Sequence, residues 1–170
     1  MDVLRSATRP SSRPSSTSRT RGGRPAPARP APATGGAYPG DFTGDVRPAY
    51  SPRPDGAPDP GEVVWTWVPY EEDHARGKDR PVLLVGRDGP WLLALQLTSQ
   101  DHDRDAAQEA RYGRLWMDVG AGGWDSRGRP SEVRLDRVVR VAPQAVRREG
   151  AVMDRRTFDR VARAMRDARR

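Results

Sequence analysis

Pro81-Val82-Leu83-Leu84-Val85, Arg87-Asp88-Gly89-Pro90 and Trp91-Leu92-Leu93-Ala94-Leu95-Gln96-Leu97 follow one another almost without a break. The two apolar runs are too short for buried helices and are bounded by turn residues, so they read as β-strands. Asp88-Gly89 between them is the dipeptide of a tight hairpin. The first run is apolar at every position, which predicts burial on both faces.

Upstream, Glu62-Val63-Val64-Trp65-Thr66-Trp67-Val68 is β-branched and aromatic and reads as a preceding strand that Pro69 ends. The charged segment from Tyr70 to Asp79 reads as a loop. Downstream, after a polar stretch, Arg114 to Val119 looks like another strand. Gly120-Ala121-Gly122-Gly123 is a turn or loop, and Glu132–Leu135 and Arg137–Val141 complete the β portion. Asp154 can cap a closing helix in which Phe158, Val161, Ala162 and Met165 form one apolar stripe. Its other face carries Arg155, Arg156, Arg160, Arg163 and Arg166, either a phosphate track or a solvated face. Short strands, a hairpin turn and one terminal helix predict a mainly β fold, a small and partly open barrel.

Residues 1–60 differ in kind, with twelve of the chain's 17 prolines, many serines and glycines, and few aliphatic side chains. Such a composition buries too little apolar surface to offset the entropy of ordering, so residues 1–60 read as a disordered Pro/Ser/Arg-rich extension before a domain spanning 61–170. Within it, Tyr38, Phe42, Val46 and Tyr50 could pack on the domain as an extended arm.

The 170 residues carry a net charge of +7 and no cysteine. A disulfide framework and thiolate metal sites are therefore excluded, and a reduced, cytoplasmic protein is expected. No apolar run approaches the roughly 18 residues of a membrane span, and the N-terminus lacks the apolar core of a secretory signal. The basic balance favours an anionic partner, RNA or DNA foremost. Asp101, Asp103 and Asp105 have calcium-loop spacing, but Ala106 stands at the glycine position and Tyr112 at that of the closing glutamate. No metal or other cofactor is expected.

Two pieces flank the hairpin strands at one end: Gly77-Lys78-Asp79-Arg80-Pro81 before the first and Leu97-Thr98-Ser99-Gln100 after the second. Together they would set a guanidinium and a hydroxyl at the mouth of the β-structure. That pair can act on a phosphodiester, because the 2′-hydroxyl of RNA supplies the nucleophile and the protein need only stabilise charge and move protons. A structural reading stands beside it: Arg80 pairing with Asp79 or Glu72, and Thr98 and Ser99 closing a local turn.

With the strands placed, the sequence resembles the PemK/MazF family of toxin endoribonucleases from type II toxin–antitoxin systems. The resemblance rests on Gly61–Trp65, Gly77–Leu83, Leu97-Thr98-Ser99, and Arg129–Leu135 followed by Asp136-Arg137-Val138. It implies an SH3-like barrel, a homodimer, metal-independent cleavage of single-stranded RNA, and control by a small antitoxin. Carried over, Arg80 and Thr98 are the catalytic pair. Ser99, Lys78, His74 and Trp67 are supporting or RNA-binding candidates, with His74 alternatively an idle loop residue. Trp67 and Trp124 are the tryptophans that could stack bases, the others being core. The rival function is a noncatalytic module on the same barrel, binding nucleic acid or a protein target such as DNA gyrase.

Overall fold

The computed structural model describes residues 29–30, 37–99 and 106–170. Asp101, His102, Asp103 and Asp105 lie outside the described residues. Eight strands form one antiparallel sheet: β1 (Arg29–Pro30), β2 (Glu62–Pro69), β3 (Arg76–Asp88), β4 (Trp91–Thr98), β5 (Trp116–Gly120), β6 (Ser131–Arg134), β7 (Val139–Val141) and β8 (Val146–Val152). Their order is β5-β6-β4-β3-β2-β8, with β7 pairing with β4 and β1 with β3. Two helices accompany them, α1 (Ala106–Arg111) and α2 (Arg155–Ala168). This is the mainly β architecture with a C-terminal helix that the sequence predicts.

The central hairpin turns at Gly89, whose φ of +56° is the left-handed conformation such a turn needs. Alternation then sends successive side chains to opposite faces. Val63, Leu83, Val85, Leu93, Leu95 and Leu97 form one buried cluster, covered by Phe158, Val161, Ala162 and Met165 of α2. Val64, Val68, Val82, Leu84, Leu92 and Ala94 form the other, closed by Val139 and Val141. Both faces of the hairpin are thus sealed, as its unbroken apolar run predicts. Asp154 caps α2 by accepting from the Thr157 N–H at 2.9 Å.

Residues 37–60 lie as extended chain against this body. Val46 is buried, the Phe42 N–H donates to the Val138 carbonyl, and that of Ala49 to the Val85 carbonyl, both at 2.9 Å. The Tyr50 ring meets Phe158 at 5.1 Å, and its hydroxyl donates to the Met153 carbonyl. At the far end of the chain, Arg169 donates to the carbonyls of Phe42 and Gly44.

Four sequence expectations are corrected. The charged segment is a loop only as far as Ala75; from Arg76 the chain is strand, because β2 offers it a partner through Pro69↔Gly77 and Val68↔Lys78. The polar stretch after β4 includes the short helix α1. Val146–Val152, not anticipated as a strand, forms edge strand β8 on β2, with two register shifts. Finally, Trp65, Trp67, Trp91 and Trp116 are only partly buried, whereas Trp124 is core at 6% exposure, its indole N–H donating to Ser131 Oγ. Base stacking by Trp124 is therefore ruled out by its position.

Candidate active site

The face of the sheet that carries the second cluster opens at one end into a cleft of about 340 Å³. Register explains what lines it. Val82 pairs with Gln96, so Arg80 and Thr98, each two residues nearer the mouth, project on the same face as these two. Arg80, Gln96 and Thr98 all line the cleft. Strand β7 contributes from the other side: Ala94 pairs with Val139, and Arg137, two residues before it, takes the cleft wall. Arg134 follows from β6, whose Glu132 pairs with Thr98. Val68, Tyr70 and Glu72 form the opposing rim, and Trp116 with Glu109 of α1 closes the side.

Of the four arginines lining the cleft, Arg114 is exposed, and the other three are in different states. Arg134, buried, donates to Asp136 and to Glu71. Burial alone would lower its pKa, but the bonds and charges of Asp136 and Glu71 outweigh that and raise it. Arg137, also buried, holds Asp41 through two N–H groups at 2.7 and 3.1 Å. Arg80 meets no carboxylate among the described residues. Its burial, opposed by the Tyr70 hydroxyl and reinforced by the Arg137 charge, draws its pKa below that of a free guanidinium. The pairing with Asp79 that sequence allowed does not form, since Asp79 ion-pairs with Arg147 at 3.2 Å. A partly desolvated arginine with no carboxylate partner among the described residues, lining an open cleft with a hydroxyl, is suited to receive an anion.

The other candidates stand apart. Lys78 shares the Arg80 face of β3 but does not line the cleft. Ser99 is exposed beyond the end of β4. His74 is exposed and packs edge-on against Tyr38 of the arm, their ring centres 5.0 Å apart. Trp67 projects on the opposite face of β2 from Val68, its indole over Gly77 so closely that an added Cβ would lie 2.7 Å from the ring. Gln96, Arg134 and Arg137 were missed from sequence. Gln96 carried a usable signal: it interrupts the apolar face of Leu92 and Ala94, marking where the core ends and the cleft begins. No group of three or more histidine or carboxylate side chains is gathered as a metal site among the described residues. No helix among them is long and apolar enough to cross a membrane.

Residues 59–168 match the family described as "PemK-like, MazF-like toxin of type II toxin-antitoxin system". Among solved structures, the MazE–MazF structure (form II) from Deinococcus radiodurans is similar, at 18% identity over 66% of this chain and 96% of that one, with a TM-score of 0.46. No curated protein sequence matches the chain.

Proposed function

The chain belongs to the PemK-like, MazF-like toxins of type II toxin–antitoxin systems, and from that premise we propose that it is an endoribonuclease cutting single-stranded RNA, with Arg80 and Thr98 as the catalytic pair. The observation that carries this reading is the Arg80 guanidinium, with no carboxylate partner among the described residues, on the same face as Thr98 at one end of the β3–β4 ladder.

The 2′-hydroxyl of the ribose attacks the adjacent phosphorus, and the bond from phosphorus to the 5′-oxygen breaks. The products are a 2′,3′-cyclic phosphate and a 5′-hydroxyl. One proton leaves the 2′-oxygen and one arrives at the 5′-oxygen, so no proton is consumed overall. Arg80 binds two non-bridging oxygens through its planar fork and stabilises the charge that grows on them. Its lowered pKa favours delivery of a proton to the departing oxygen. The Thr98 hydroxyl donates to a phosphate oxygen. RNA supplies the nucleophile, so the reaction requires no metal. The family membership supports a small antitoxin as partner, and we extend the reading to a cytoplasmic homodimer.

Incubating a long single-stranded RNA with the purified protein in EDTA, beside Arg80→Ala, tests the proposal. Cuts at a short recurring motif that vanish in the variant are expected. Undiminished cutting by Arg80→Ala would sink the site assignment. RNA binding without any cutting would favour a noncatalytic module.

A further inference from the structure

The family match begins at residue 59, yet the arm that precedes it bonds to a residue of the cleft wall. Arg137, 6% exposed, lines the cleft wall. Its Nε and Nη2 donate to Asp41 of the arm, a two-point grip that fixes the plane of the guanidinium. Asp41 is anchored in turn. The Tyr38 hydroxyl donates to its Oδ1 at 2.6 Å, and Arg140 donates to the carbonyls of Gly40 and Asp41 at 2.8 and 3.2 Å. The Arg137 Nη1 edge carries no protein partner among the described residues.

Arg137 also lies close enough to Arg80 for its charge to bear on that guanidinium. Two cations thus line one cleft wall, and among the described residues only Arg137 has a carboxylate partner, Asp41. Such a pair is unfavourable until an anion sits between the two. We propose that Asp41 is a positioning residue, which aims Arg137 at the phosphate that Arg80 binds, so that the arm completes an anion site of two guanidinium groups. The inference rests on the cleft being the RNA site.

The test measures binding of a single-stranded 2′-O-methyl RNA, which cannot be cut, to the full-length chain, with cleavage of unmodified RNA followed alongside. Asp41→Asn raises the net charge by one, so an aspartate acting through charge alone would give tighter binding in the variant. A positioning role gives the opposite sign: affinity falls about tenfold, the scale of one charge-assisted hydrogen bond, and Asp41→Glu recovers part of it. Val46→Ala, which trims a buried side chain of the arm and leaves the Asp41–Arg137 pair in place, keeps the wild-type affinity. Unchanged or tighter binding by Asp41→Asn overturns the proposal, as does an equal loss in Val46→Ala. Wild-type protein that binds but does not cut removes the nuclease reading and leaves this one standing. Wild-type protein that fails to bind overturns it.

Discussion

Arg80 and Thr98 stand on neighbouring strands two residues beyond the Val82–Gln96 pair, where the apolar face of the hairpin gives way to the cleft. Their closeness is a property of register rather than of any loop. A strand ladder fixes side-chain position more tightly than a loop does, and a slip of one residue would turn both away from the cleft.

Removing Arg80 should therefore disable chemistry and spare the fold. Arg80→Ala is expected to lower cleavage by at least about a hundredfold, the effect of deleting a main stabiliser of transition-state charge. Its thermal midpoint should match or exceed that of wild type, because a half-buried charge with no carboxylate partner among the described residues is lost. Unfolding of Arg80→Ala would show that the side chain is structural.

Thr98→Val keeps shape and volume while removing one hydroxyl. A loss on the order of tenfold in kcat is expected, the value of one neutral hydrogen bond. A rate unchanged from wild type would remove Thr98 from the mechanism.

Gly77 pairs with Pro69 where β3 starts along β2. A Cβ there would collide with the Val68 carbonyl oxygen and lie 2.7 Å from the Trp67 ring. Gly77→Ala should cost about 1–3 kcal/mol, as overpacking does, and it should also reduce activity, since it displaces the strand that carries Arg80. Gly89→Ala meets no neighbour within 4 Å and suffers only its left-handed backbone, a cost of roughly 1 kcal/mol. Urea unfolding of the two variants provides the comparison. A larger loss in Gly89→Ala would contradict the packing account.

The arm responds to acid in a predictable direction. Burial would raise the Asp41 pKa, but the bonds from Arg137 and Tyr38 and the Arg137 and His74 charges outweigh that and lower it. A carboxylate whose folded pKa is depressed contributes stability above its unfolded value, near 4. That contribution declines as pH falls through the folded pKa. The stability difference between wild type and Asp41→Asn should thus be full at pH 7 and shrink below about pH 4. A difference that grows on acidification would reverse the assigned sign.

The parts of the fold that were legible in the sequence are those where one constraint acts alone. Burial on both faces wrote the apolar run of Val82–Val85, and a single buried stripe wrote Phe158, Val161, Ala162 and Met165. Where two demands met, the pattern broke. Strand β3 begins at Arg76 in a polar run, much of it exposed or half-buried, so it looks like loop. Edge strand β8 mixes Arg147, Arg148 and Glu149 with valines and has irregular register, which removes the alternation that identifies strands. Trp124 looked like a loop-borne stacking residue. Its neighbour Gly122 shows why it is not, since a Cβ there would collide with the indole, so the glycine makes room for a packed ring. The proposed catalytic pair, Arg80 and Thr98, was visible in the sequence. Arg137 was not, because its relation to Asp41 spans 96 residues and no local pattern records it.

That same separation governs when the site can exist. Asp41 leaves the ribosome long before Arg137, and Arg169, which ties down the arm at Phe42 and Gly44, is added 125 to 127 residues after the carbonyls it binds. Contacts so distant along the chain close late in folding. The arm is therefore synthesised first and locked last, and a nascent toxin cannot assemble its complete cleft while most of its own message is still being read.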